Sequence, residues 1–267
     1  MLETRDLSVS IGQRSILEKI DFVANAGELT VIVGPNGSGK TTLLKALCGD
    51  HAYRGHATLH GREISAMPSR VGATLRAVLP QSTQLSFPFT VREVVSLGLT
   101  GGRPGVSLKE MRLLPERALS SVGLGGFGGR FYGELSGGEQ QRVQLARVLC
   151  QIWEPVLDGV PRYLMLDEPV SSLDINHQLQ ILRLARDFAD AGGGVIAILH
   201  DLNLAAMFAD TITVLKNGKC CRTGTPAEVL EDQTIAYSFD CALRVGVVPP
   251  VEMPFVLPQS HLLGETG

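Results

Sequence analysis

The sequence has little that would place it in a membrane, on nucleic acid or in an oxidising compartment. No run approaches the roughly 18 consecutive apolar residues that suggest a membrane span. The start, Met1-Leu2-Glu3-Thr4-Arg5-Asp6, has no basic stretch leading into an apolar core, so no signal peptide is expected. Basic residues are not in excess: 24 Lys and Arg stand against 27 Asp and Glu, a net charge of −3. Proteins that live on nucleic acid carry the opposite balance, and no nucleic-acid partner is expected. The five cysteines, Cys48, Cys150, Cys220, Cys221 and Cys241, are odd in number and lack metal-ligand spacing. They read as buried free thiols in a reducing compartment. Aromatics are scarce, at 5% with a single Trp.

Glycine is what the chain has in surplus. There are 30 in 267 residues, about 11% against an ordinary ~7%. They lie between well-patterned apolar runs, so they mark places where the backbone turns sharply or comes close to something. With a hydrophobic fraction of 44%, the chain reads as globular, of one or two domains.

Short, partly alternating strands are expected at Leu7 to Ile11 and Ile20 to Val23. Leu29-Thr30-Val31-Ile32-Val33, Tyr163-Leu164-Met165-Leu166 and Val195 to Leu199 are continuous apolar runs, as strands buried on both faces should be. Residues 50 to 70 suggest further hairpin strands, and Arg76 to Pro80 a short strand ending at Gln81. From Phe87 to Trp153 the texture is helical, with capping-box patterns at Thr90-x-x-Glu93 and Ser107-x-x-Glu110. Ile175, Leu179, Leu182 and Ala189 mark a helix stopped by Gly192-Gly193-Gly194, and Asn217-Gly218 signals a hairpin. The tail beyond Gln233 reads as irregular. Strands alternating with helices argue for an α/β fold with a largely parallel sheet, whose ligands bind at the carboxyl ends of the strands. Gly34, Gln81, Asp167 and His200 all fall at that edge.

Gly34-Pro35-Asn36-Gly37-Ser38-Gly39-Lys40-Thr41 fits G-x-x-x-x-G-K-[ST] between a strand and a helix. Such a loop points consecutive N–H groups into one anion cavity, and the helix N-terminus adds positive partial charge. Lys40 would reach the β- and γ-phosphates, and the Thr41 hydroxyl, with Thr42 beside it, can ligate Mg²⁺. Tyr163 to Asp167 is an apolar strand ending in a carboxylate suited to hold Mg²⁺ through water. The next residue, Glu168, can accept a proton from the attacking water. In Leu135-Ser136-Gly137-Gly138-Glu139-Gln140-Gln141-Arg142, Ser136 and Glu139 form another capping box. Gly137 and Gly138 just inside the helix start weaken the helix but let an anion approach bare N–H groups, which makes a second phosphate site.

The phosphate loop, then Gln81, LSGGEQQR, LMLDEP, Ser171-Ser172-Leu173-Asp174 and His200, in that order, resemble the ATPase subunits of ABC transporters over roughly residues 1 to 230. The resemblance implies a P-loop NTPase (RecA-like) core with an antiparallel β-subdomain and an inserted α-helical subdomain. Residues 1–86 and 156–232 would form the core, 87–155 the helical subdomain and 233–267 a C-terminal extension. It implies a homodimer that sandwiches two ATPs head to tail, the phosphate loop of one copy facing Ser136, Gly137, Gly138 and Glu139 of the other. Gln81 would touch Mg²⁺ and sense the membrane partner, Asp174 would sit at the dimer seam, and His200 would hold the γ-phosphate and the attacking water. Cofactors would be ATP and Mg²⁺, with metal contacts from Thr41, Gln81 and Asp167. The chain would work as a peripheral subunit on the cytoplasmic face of a bacterial inner membrane. Two transmembrane permease subunits would be its partners, with a periplasmic substrate-binding protein acting indirectly.

One departure concerns the aromatic that commonly stacks on adenine in such subunits. The matching position here is Ile11, before Gly12, so adenine contact would be aliphatic. His200-Asp201-Leu202-Asn203-Leu204-Ala205 resembles importers of ferric siderophores, haem and cobalamin. Phe87 to Val91 and the stretch Gln151 to Pro161 resemble the haem importer subunit. Ferric siderophore or cobalamin import stays open as the alternative, and a soluble ABC ATPase of translation or DNA repair and a small-molecule P-loop kinase remain as other classes. His51, His56 and His60 read as surface histidines. The glycines near Gly101 and from Gly123 to Gly133 read as hinges of the helical subdomain.

Overall fold

The computed structural model describes residues 1–81, 85, 87–100, 107–249 and 252–260. The chain opens with β1 (Leu2–Ile11), β2 (Arg14–Ala24) and β3 (Leu29–Val33), followed by α1 (Lys40–Cys48). Next come β4 (Arg54–Leu59), β5 (Arg62–Glu63), α2 (Ser69–Leu75) and β6 (Arg76–Leu79). A helical stretch holds α3 (Val91–Ser96), α4 (Leu108–Ser121) and α5 (Gly137–Gln151), then a small hairpin of β7 (Val156–Leu157) and β8 (Val160–Pro161). The rest is β9 (Tyr163–Asp167), α6 (Ile175–Asp190), β10 (Gly194–Ile198), α7 (Leu202–Phe208), β11 (Thr211–Lys216), β12 (Lys219–Gly224), α8 (Pro226–Val229) and α9 (Asp232–Phe239).

Six strands form the central sheet in the order β12-β11-β3-β10-β9-β6. Every pairing in it is parallel except β11 with β12. Strands β3, β9 and β10 are buried along their whole length, so both faces are covered, and alternate residues serve two separate cores. Val31, Leu164, Leu166 and Ala197 pack toward the helical stretch and α6. Ile32, Met165, Ile196 and Ile198 pack toward α1 and a second sheet, antiparallel, of order β2-β1-β4-β5. Mixed α/β layering around a parallel sheet is therefore present, with the antiparallel sheet on one face.

Several sequence expectations change. Strands β1 and β2 begin well before Leu7 and Ile20. Register shifts in β1, and left-handed φ angles of 49° at Asp6 and at Lys19, break the alternation that would have shown their full length. The tail is not irregular from Gln233 onward, because α9 continues to Phe239, burying Ile235 and Ser238. Gly194 does not belong to a helix stop: it opens β10, where an added Cβ would lie 2.3 Å from the Tyr163 ring. Among the described residues no cysteine is in a disulfide, and the five are not uniformly buried. Cys150 is buried, Cys48, Cys220 and Cys221 are partly so, and Cys241 is exposed. His60 is half-buried, with Nε2 2.8 Å from the Pro161 carbonyl and its ring 5.8 Å from that of Tyr163. It ties the β4–β5 turn to the small hairpin rather than facing solvent. The expected hinge at Gly101 lies outside the described residues.

Candidate functional site

Strands β3, β6, β9 and β10 run parallel, so their carboxyl ends deliver side chains to one edge. The loop after β3 is the most constrained part. Gly39, with φ 103°, stands at the N-cap of α1, whose first turn holds no acidic residue of its own, so the helix adds no negative charge at its positive end. Lys40 is only 6% exposed. Its ammonium donates to the carbonyls of Gly34 at 2.9 Å and Pro35 at 3.0 Å. Burial holds the Lys40 pKa below the ordinary lysine value, while the Glu168 and Asp167 carboxylates work against that shift. An ammonium carries three donors, so one remains to reach an anion. The Ser38 hydroxyl is buried and lacks a hydrogen-bond partner among the described residues. An orphaned buried hydroxyl is costly, and a phosphate oxygen in this loop would satisfy it.

Gly34 has a separate reason to be glycine. Its φ is 147°, and an added Cβ would lie 2.0 Å from the carbonyl oxygen of Leu215 at the end of β11. Here the bare backbone serves chain packing, whereas around Gly37 a Cβ would meet open space. Gly34→Ala is expected to destabilise the fold by on the order of 3 kcal/mol, from backbone strain plus overpacking. Thermal unfolding reads this as a fall of roughly 6–12 °C in Tm; an unchanged Tm would refute the close approach.

Thr41 lies beside the end of β9, its hydroxyl 3.2 Å from Asp167 Oδ1. Burial pushes the Asp167 carboxyl above the ordinary aspartate value, against the Thr41 hydrogen bond, and neighbouring Glu168 adds to the rise. Two oxygen donors meeting at the head of the phosphate loop suit a hard cation such as Mg²⁺. Glu168 follows with φ 52°, a left-handed backbone that costs a non-glycine residue about 1–3 kcal/mol. That turn swings its carboxylate between two donors: Gln81 Nε2 lies 2.9 Å from Oε2, and His200 Nε2 lies 2.6 Å from Oε1. Gln81, after β6, and His200, after β10, thus meet on one carboxylate. Such a group can take a proton from a water that displaces either donor.

The second cluster gathers at the start of α5. Ser136 caps this helix, accepting from the Glu139 backbone, and Glu139 bonds back to the Ser136 N–H and hydroxyl. These bonds hold the Glu139 carboxyl below the ordinary glutamate value. A Cβ on Gly137 would meet open space, whereas one on Gly138 would come within 3.0 Å of Leu173 Cδ2. Asp174 caps α6 and bonds His177. Ser136, Glu139 and Asp174 thus make their bonds within their own helix starts rather than with the phosphate loop. Ile11 ends β1 at the hairpin turn, 51% exposed and paired with Arg14.

Gln141 and Ser172 have no expected role in the motifs that contain them, yet together they reach the Glu168 turn. Gln141 Nε2 donates to the Glu168 carbonyl at 3.1 Å, and Ser172 Oγ donates to Gln141 Oε1 at 2.5 Å. Their place inside two motifs was the available signal, but contact between the motifs is visible only in three dimensions.

The ABC transporter family matches residues 17–171. The chain is 64% identical over 262 residues to the "Hemin import ATP-binding protein HmuV" of Mesorhizobium japonicum, covering 98% of this chain and 100% of that protein. It is 50% identical over 260 residues to the protein of the same name from Bartonella henselae, covering 97% and 98% respectively. The dimeric structure of a bacterial ABC transporter cassette matches with a TM-score of 0.74 at 25% identity, over 85% of this chain and 99% of that one.

Proposed function

The chain belongs to the ABC transporter family, and from that premise we propose that it is the ATP-hydrolysing subunit of an importer carrying haem across a bacterial inner membrane. One observation carries the enzymatic part. A phosphate-type loop, a Thr–Asp oxygen pair, and a carboxylate held between Gln81 and His200 meet at one edge of the parallel sheet. The cargo assignment is supported by relatives of 50–64% identity named for hemin import, matched over nearly their whole length.

In this reading the backbone N–H groups from Asn36 to Thr42, Gly37 among them, hold the phosphates, Pro35 shapes the turn without an N–H to donate, and Lys40 and the Ser38 hydroxyl add donors. Thr41, Asp167 and Gln81 would hold Mg²⁺, which supplies charge neutralisation between the phosphates. Glu168 accepts the proton of the attacking water at a carboxylate oxygen as the water oxygen bonds to the γ-phosphorus and the bond to the β-phosphate bridge breaks. His200 orients the water and donates toward the γ-phosphate, and Ile11 covers adenine. Two copies pair so that Ser136, Gly137, Gly138 and Glu139 of one close over ATP held by the other, with Asp174 at the seam. Removal of Mg²⁺ with a chelator is expected to bring hydrolysis to background and leave the fold intact, with restoration on adding Mg²⁺ back. Full hydrolysis without divalent cation would contradict the Thr41–Asp167 assignment.

We place the subunit on the cytoplasmic face, against two transmembrane permease subunits, with a periplasmic binding protein acting through them. Among the described residues no helix is long and apolar enough to cross a membrane. The surface offered to the permeases is the cleft of the helical stretch lined by Phe89, Arg92, Glu93 and Leu97, with exposed Phe87 beside it. The cargo is tested by assembling the chain with its permease pair and binding protein in liposomes and measuring ATP hydrolysis with each candidate. Stimulation by hemin and none by a ferric siderophore or cobalamin is expected; stimulation by either of those alone reassigns the cargo.

A further inference from the structure

We propose that Gln141 is a positioning residue for Glu168, a strut by which helix α5 of the same chain holds the turn that aims the carboxylate. The inference rests on Glu168 being the proton acceptor.

Gln141 lies in the second turn of α5, and both halves of its amide are used. Nε2 donates to the Glu168 carbonyl at 3.1 Å and Oε1 accepts from Ser172 Oγ at 2.5 Å. These partners fix which way the amide points, since the reversed amide would set its oxygen against the Glu168 carbonyl oxygen. The same carbonyl also accepts from the Ser171 hydroxyl at 3.2 Å. This carbonyl belongs to the residue with φ 52°, a conformation that persists only where its surroundings hold it. One turn earlier in α5, a Cβ on Gly138 would lie 3.0 Å from Leu173 Cδ2 and 3.5 Å from the Ser172 carbonyl oxygen. Helix and loop therefore touch at two successive levels, packing below and a directed hydrogen bond above.

The consequence follows from the two ends of α5's first turns. Its N-cap, Ser136, is assigned to nucleotide held by a second copy, while Gln141 grips Glu168 of its own chain. A shift of α5 as the second copy docks thus moves the carboxylate that serves the chain's own phosphate loop. Gln141 touches no substrate; it acts through the backbone of Glu168.

The test is steady-state ATP hydrolysis by the assembled transporter with Gln141→Met, which keeps length without hydrogen bonds, and Gln141→Glu. The glutamate can still accept from Ser172 but sets an oxygen against the Glu168 carbonyl. Both are expected to lower kcat on the order of ten- to a hundredfold, the scale of a misplaced catalytic group. The KM for ATP should stay within about twofold, since binding to the phosphate loop is untouched. Ser172→Ala should lower kcat less, and should add nothing in the Gln141→Met background. Wild-type kcat in Gln141→Met would overturn the proposal by showing that bulk suffices, as would kcat and KM worsening together. If Gln141→Met does not accumulate as folded protein, Gln141→Glu, equal in size and polar, decides alone. Glu168→Gln is run alongside. Wild-type turnover there removes the proton-acceptor role itself, whereas slow turnover there with normal Gln141→Met removes the strut only.

Discussion

A Glu168→Gln chain is expected to bind ATP as wild type does and to hydrolyse it about 10²–10⁴-fold more slowly, the usual worth of a positioned general base. The substitution is isosteric. Gln81 and His200 meet different carboxylate oxygens, at 2.9 Å and 2.6 Å, so an amide keeps an acceptor for one of them and gives up the contact with the other. The left-handed turn at position 168 is backbone geometry and is held by bonds to its carbonyl from Gln141 and Ser171, which the change leaves in place. Besides that one contact, what is lost is the ability to take a proton. The variant should therefore accumulate as an ATP-bound pair of chains, seen as doubled mass by light scattering in Mg²⁺ and ATP. Wild-type turnover in the assembled transporter would remove Glu168 from the role given to it here.

The second large effect concerns Ser136→Arg. In the isolated chain Ser136 serves as a helix cap, bonded reciprocally to Glu139. Losing the cap costs about 1 kcal/mol, too little to unfold a chain of this size. The long cation has a larger effect, because it occupies the open space in front of Gly137. ATP binding by the chain's own phosphate loop should be unchanged in equilibrium titration, while hydrolysis falls to background and ATP-dependent pairing is lost. Ser136→Ala separates the two causes: it removes the cap and leaves the N–H groups open, so part of the hydrolysis should survive. Normal hydrolysis by Ser136→Arg would mean that one copy completes the site unaided.

Much of this was legible in the order of residues because local rules and tertiary structure agree. The three fully buried strands read as continuous apolar runs, and the capping boxes at Thr90, Ser107 and Ser136 all form. The hairpin at Asn217-Gly218 has positive φ at both residues, as the dipeptide predicts. The failures have two local causes. Strand lengths in β1 and β2 were hidden by bulges, which shift the side-chain period, and helix α9 by having only two buried positions. The glycine surplus divides in a way composition cannot show. Gly34 and Gly194 are bare because another part of the chain lies against them, whereas Gly37 and Gly137 face open space. The motif residues at the sheet edge were identifiable singly. That Gln81 and His200 converge on Glu168, and that Gln141 reaches behind it, depends on strands β6, β9 and β10 and helix α5 meeting in space.

The most direct test of the account is hemin accumulation in proteoliposomes that hold this chain with its permease pair, supplied with hemin-loaded binding protein on one face and Mg²⁺ and ATP on the other. The account predicts uptake that requires ATP and disappears with Glu168→Gln while the assembled complex stays intact. Hemin uptake that proceeds equally without ATP, or equally with Glu168→Gln, would contradict it.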